Sequence, residues 1–171
     1  MKQFIGNPYF TKGFPSDSDV DRVSTNVEAV RKLLTLCPKA SRTPLVSSLP
    51  LAEMIGIKDI WFKDERQRMG LGSFKALGAA YVIACRAADK IPMDSSPDEW
   101  KNALTGECFV TASAGNHGLS LAAGARLFGA KAVIYLSKNV HSSFADTIRN
   151  YDADVVVEGD SYEESMAAAI K

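Results

Sequence analysis

Between Cys108 and Lys171 the chain alternates three short β-branched runs with three helical segments, and this alternation narrows the fold more than any other feature. Cys108-Phe109-Val110-Thr111, Ala132-Val133-Ile134-Tyr135-Leu136 and Asp154-Val155-Val156-Val157 predict strands. Residues 118–128, 142–150 and 161–171 predict helices, the first closed by Gly129. Strand, helix and strand joined by short loops are the pattern of a parallel sheet with crossover helices. Strands this rich in valine and isoleucine suit a sheet covered on both faces. The expected fold is therefore α/β, a parallel sheet in a three-layer arrangement.

Upstream the pattern is less regular. Val20, Val23, Val27, Val30 and Leu34 form the stripe of an amphipathic helix stopped by Pro38. Residues 39–48 predict a loop or short extended piece, and Pro50 opens a short helix that Gly56 ends. Ile60-Trp61-Phe62 predicts a strand, with Trp61 and Trp100 as packing residues. A charged run, Lys63 to Arg68, precedes the turn Gly70-Leu71-Gly72. Ser73 is placed to cap the following helix, whose predicted apolar face is Phe74, Leu77, Tyr81, Ala84 and Ala88. A linker with Pro92 and Pro97 leads to a short helix around Trp100.

Composition excludes several function classes. Twenty Lys and Arg balance twenty Asp and Glu, so there is no net charge to recruit nucleic acid or an anionic membrane. No apolar stretch approaches the ~18 residues that span a bilayer, and Met1-Lys2-Gln3-Phe4 lacks the apolar segment of a secretory signal. Cys37, Cys85 and Cys108 are odd in number without CxxC spacing, which predicts reduced thiols in a cytoplasmic protein. With two histidines, His117 and His141, no metal site is expected.

Two segments can carry chemistry. In Gly70-Leu71-Gly72-Ser73-Phe74-Lys75 a glycine turn delivers a lysine to a helix start. The positive end of the helix dipole, and burial beside Phe74, would favour the neutral amine that attacks a carbonyl. A surface lysine near a helix start is the bland alternative. The second segment, Thr111-Ala112-Ser113-Ala114-Gly115-Asn116-His117-Gly118, joins a predicted parallel strand to a helix. That carboxyl edge is where α/β sheets bind ligands, and successive N–H groups at a helix start cradle a carboxylate or phosphate. A plain strand-to-helix turn with a capping Asn is the alternative. A nucleotide-binding reading fails because neither GxxxxGK[ST] nor GxGxxG is present. Asp64 and Glu65, adjacent at a strand end, point to opposite faces and are expected to be solvated charges. Cys85 is expected in the core and His141 as an exposed or capping residue.

In combination, Ser73-Phe74-Lys75 and Ser113-Ala114-Gly115-Asn116-His117-Gly118 resemble the fold-type II pyridoxal-phosphate enzymes. Thr43-Pro44-Leu45 is similar to that family's entry segment, and Lys63-Asp64-Glu65 to the charged strand end before its lysine turn. The stretch from Trp61 to Ile83, together with Asn7-Pro8-Tyr9-Phe10 and Ala132-Val133-Ile134-Tyr135, most resembles the diaminopropionate ammonia-lyase branch. The resemblance implies pyridoxal 5'-phosphate as cofactor, Lys75 as its covalent anchor and proton shuttle at the substrate Cα, Phe74 beside its ring, and Asn116 on its ring oxygen. Ser113, Ala114, Gly115, Asn116 and His117 would form the loop for the substrate carboxylate. The implied reaction is α,β-elimination on a small amino acid, giving a 2-keto acid such as pyruvate and ammonia. A homodimer is implied for the full-length protein.

The chain departs from that branch in two respects. The diaminopropionate enzymes carry an aspartate before their GNHG, thought to act as a base on one substrate enantiomer, whereas this chain has Ala114. The Ser-Ala-Gly-Asn-His form is typical of hydroxyamino-acid dehydratases, so a serine/threonine dehydratase is the alternative reading. The family's glycine-rich phosphate loop and its partner for the pyridine nitrogen are not visible; Gly159 stands alone late in the chain. The expectation is a front part of a longer protein, with weak or no cofactor retention by itself. The parts would be residues 1–87, from the large cofactor domain with the lysine helix, and residues 88–171, an incomplete small α/β domain with the asparagine loop. A catalytically inactive fragment or interaction module of the same fold remains a third reading.

Overall fold

A computed structural model describes residues 26–171. Asn7-Pro8-Tyr9-Phe10, Val20 and Val23 lie outside the described residues. The valine stripe continues as helix α1, Val27–Thr35, capped by the Asn26 side chain. A two-stranded antiparallel ribbon follows, made of β1, Leu45–Ser47, and β2, Trp61–Lys63, with α2, Leu49–Ile55, between them. Gly56 ends α2 at φ 73°, the left-handed region that glycine enters at little steric cost. Trp61 is 60% exposed on the ribbon and is not the packing residue expected, because no other described element packs broadly over the two-stranded ribbon.

Helix α3, Ala76–Ala88, leads through α4, Pro97–Asn102, into the regular alternation. Ser96 and Glu99 close a capping box at the start of α4. Strands β3, Cys108–Ala112, β4, Lys131–Leu136, and β5, Asp154–Val157, form the expected parallel sheet in the order β3-β4-β5. Helices α5, Asn116–Leu127, and α6, Ser142–Arg149, are the crossovers. Helix α7, Tyr162–Ile170, packs on β3 and β4. In β4, Ala132, Ile134 and Leu136 are buried at alternate positions. Ile134 lies toward Gly118 of α5, so the intervening Val133 and Tyr135 turn to the other face.

The lysine helix buries a different face from the one its sequence predicts. Ala76, Ala79, Ile83 and Ala87 are buried, while Phe74 is 65% exposed. The reason lies in its partner. Gly124 of α5 sits so close that a Cβ there would be 3.0 Å from Ile83 Cδ1 and 3.2 Å from Ala80 Cα. Two helices this near each other select small side chains at the contact, and the bulkier Phe74-Leu77-Tyr81 row turns aside. Ala79, Ile83 and Ala87 thereby join the cluster of Leu121, Ala125, Phe128, Ile134 and Ile148. Glu107, just before β3, holds Arg86 and Lys90 at the far end of α3. Trp100 packs against Phe128 with ring centroids 6.0 Å apart. Cys85 is half-buried, and His141 caps α6, its Nδ1 accepting from Ser143 N.

Candidate functional site

Each of the two motif segments leaves a strand and ends in a helix. After β2, the backbone N–H of Asp64 bonds Pro44 O at 2.9 Å, which extends the ribbon by one residue. The chain then turns sharply: Met69 has φ 52°, Gly70 φ 72° and Gly72 φ 76°. Left-handed backbone costs a non-glycine residue about 1 kcal/mol, so Met69 is held there by its surroundings. Leu71 is buried and anchors the middle of the turn. Ser73 Oγ accepts the N–H of Lys75 at 3.2 Å, a local turn contact, but Lys75 rather than Ser73 is the N-cap and no side chain caps the helix, so the expected Ser73 cap is not formed. Lys75 is exposed, and its amine makes no ion pair or hydrogen bond among the described residues. The expected burial beside Phe74 is absent, since Phe74 itself faces solvent.

The second segment leaves β3 at Ala112 and enters α5 two residues earlier than its sequence predicts. Asn116 and His117 therefore belong to the first helical turn. Gly115 is the N-cap, and no side chain caps the helix, leaving its first N–H groups without intrahelical partners. Gly118 permits the loop to fold back: a Cβ there would lie 2.3 Å from the carbonyl oxygen of Ser113.

These segments meet in a cleft of about 550 Å³. Gly72, Ser73 and Phe74 line it together with Asn116, and Val46 and Phe62 of the ribbon add apolar walls. Thus Phe74 and Asn116 are brought together, while Lys75, next to Phe74 in sequence, lies outside that lining, as do Ser113, Ala114, Gly115 and His117.

Lys63, Asp64, Glu65 and Arg66 complete the cleft. They are not the merely solvated run expected from their spacing, because each carboxylate has a partner. Arg66 donates to both oxygens of Asp64, at 2.9 and 2.6 Å, which pulls Asp64 down to about 2. Glu65 is likewise pulled down to about 2, first by Arg68 and then by the Thr43 hydroxyl. Arg68 reaches Glu65 Oε2 from Nε at 2.6 Å and Oε1 from Nη2 at 2.8 Å. The pairing of Glu65 with a guanidinium three residues later is readable as a spacing; its contact with Thr43, 22 positions away, has no local signal.

A family profile described as pyridoxal-phosphate dependent enzyme matches residues 36–171. The diaminopropionate ammonia-lyase of Escherichia coli K12 is 39% identical over 129 residues, covering 72% of this chain and 32% of that protein. A biosynthetic L-threonine dehydratase of Haemophilus influenzae is 30% identical over 172 residues, covering the whole chain and 28% of the relative. The chain thus spans about a third of the length of the curated relatives it matches. Among solved structures, the apo diaminopropionate ammonia-lyase of Escherichia coli superposes with a TM-score of 0.79 at 31% identity, over 92% of this chain and 44% of that one. The same enzyme in complex with D-serine superposes at 0.76 with 32% identity, over 86% and 39% of the two chains.

Proposed function

Because this chain belongs to the pyridoxal-phosphate-dependent enzyme family, we propose that it supplies the lysine and asparagine side of an ammonia-lyase site that carries out α,β-elimination on a small amino acid. The observation that carries the reading is the cleft lined by Asn116 and the Ser73–Phe74 turn, with Lys75, whose amine has no partner among the described residues, next in sequence. A carboxamide, an aromatic face and a free primary amine fit pyridoxal phosphate, which needs an imine-forming nitrogen, a donor for its ring oxygen and an apolar surface. When bound, that group supplies an electron sink for the carbanion at the substrate Cα.

This chain's own residues would do the rest. The Lys75 amine would hold the cofactor and move the proton at the substrate Cα. Phe74 would cover one face of the ring and exclude water. Asn116 would donate its amide N–H to the ring oxygen. The open N-terminus of α5, with Ser113, Ala114, Gly115, Asn116 and His117, would orient the substrate carboxylate through N–H groups. The product would be a 2-keto acid together with ammonia.

The leaving group is amine or hydroxyl. Diaminopropionate is favoured by the 39% identity to that lyase. Serine or threonine is favoured by Ala114, whose methyl group can neither take a proton nor pair with a second amino group. We further propose a homodimer, a cytoplasmic setting that suits the free thiols of Cys37, Cys85 and Cys108, and a division of the chain near residues 87 and 88. Among the described residues no helix is long and apolar enough to cross a membrane.

The test is to incubate the protein with pyridoxal phosphate, reduce with borohydride and map the modified peptide. The adduct is expected on Lys75 and is lost in Lys75→Ala. Labels spread over surface lysines would overturn the assignment in favour of a non-catalytic module. Ammonia release from each diaminopropionate enantiomer, serine and threonine by the intact gene product then separates the two substrates. Equal turnover of both diaminopropionate enantiomers would contradict the role given to Ala114.

A further inference from the structure

The turn that presents Lys75 is anchored at its first residue by a three-membered network that the proposed chemistry does not use. Thr43 is 7% exposed, and the Glu65 and Arg68 side chains are 16% and 12% exposed. Glu65 Oε1 accepts from Thr43 Oγ1 at 2.5 Å and from Arg68 Nη2, while Oε2 accepts from Arg68 Nε. Arg68 Nη2 also donates to Thr43 Oγ1 at 2.8 Å, and its Nη1 to Ser41 O at 3.0 Å. Lys63 Nζ donates to Thr43 O. The network therefore joins the segment 41–44 to both sides of the charged run.

Its position decides what it does. Met69, the residue after Arg68, is a non-glycine residue in left-handed conformation, at φ 52°. Release of Arg68 would remove the side-chain hold on the residue that immediately precedes this left-handed step. Between the buried residues Leu71 and Ala76, the hydrogen bonds of residues 72–75 among the described residues are local: Ser73 Oγ accepts from Lys75 N, and the carbonyls of Ser73, Phe74 and Lys75 accept from Ala76, Leu77 and Gly78. We propose that Thr43, Glu65 and Arg68 are positioning residues, a lock that holds the left-handed turn so that Lys75 is delivered to the cleft facing Asn116. This rests on the reading of Lys75 as the cofactor anchor. The three residues act through the backbone of the turn and touch no reacting atom.

Two measurements on the whole chain test it. The first needs no cofactor: amide hydrogen exchange of residues 69–75 in Thr43→Val, Glu65→Gln and Thr43→Ser. Thr43→Val and Glu65→Gln should speed exchange there about tenfold while Ile134 in β4 keeps its protection. Thr43→Ser retains the hydroxyl and should restore the original rate. The second is the rate of borohydride-trapped labelling of Lys75 relative to the other lysines. It should fall about tenfold in Thr43→Val and Glu65→Gln and recover in Thr43→Ser. A structural role alone would lower the melting temperature without changing which lysine is labelled. If Glu65→Gln loses protection in β4 as well, Thr43→Val, which removes a single hydroxyl, decides. Unchanged exchange at 69–75 in Thr43→Val overturns the lock. Absence of Lys75 labelling in the unsubstituted chain overturns the cofactor assignment instead, and the exchange result still stands on its own.

Discussion

At the scale of single residues, the acidic pair beside the cleft sets a pH dependence. Glu65 titrates in the folded chain at about 2, against an ordinary value of 4.5, because Arg68 and Thr43 bind its charged form. A group held more acidic by folding stabilises the fold while it is charged. The contribution is complete above about pH 4.5 and is lost as pH falls toward 2. Glu65→Gln should flatten the fall in melting temperature between those pH values, and a wild-type slope in the variant would contradict the pairing. Of the residues that line the cleft, Phe74 and Asn116 were singled out from the sequence by the two glycine-bearing segments that contain them. The contact of Thr43 with Glu65 and Arg68 was not. Their meeting depends on the ribbon bringing residue 43 beside residue 65, which no local periodicity encodes.

At the scale of elements, strand and helix periods read well where β-branched runs and glycine stops alternate, as from Cys108 onward. The boundaries that slipped are informative. Helix α5 starts at Asn116 rather than Gly118 because the fold-back of the Ser113 loop, made possible by Gly118, lets the helical turn begin earlier. Gly118→Ala should therefore cost about 1–3 kcal/mol, since its Cβ must displace a backbone oxygen rather than a movable side chain. Denaturant unfolding measures it, and wild-type stability would show that the loop has room. The face of α3 was misread for a related reason. Size, not hydrophobicity, selects what lies against Gly124, and a period of 3.6 reports only the latter.

At the scale of the molecule, one apolar cluster runs from α3 through α5 to the sheet and α6. Cutting it anywhere should therefore weaken all of it. Ile134, fully buried at the centre of β4, is the residue to cut. Ile134→Ala should destabilise by about 2–5 kcal/mol. Hydrogen exchange should then accelerate in α3 together with β4; protection surviving in α3 alone would mean that the helix and the sheet open separately. The alternation of strands and helices made the sheet readable in advance, whereas the closeness of α3 to α5 depends on pairing residues some forty positions apart. That closeness has a geometric consequence. The amine rides at the head of one helix and the carboxamide at the head of the other, so the span between them inherits the thickness of the seam where Ala80 and Ile83 meet Gly124. A single missing side chain, deep in the apolar interior, acts as the gauge for how far apart the two helix heads stand.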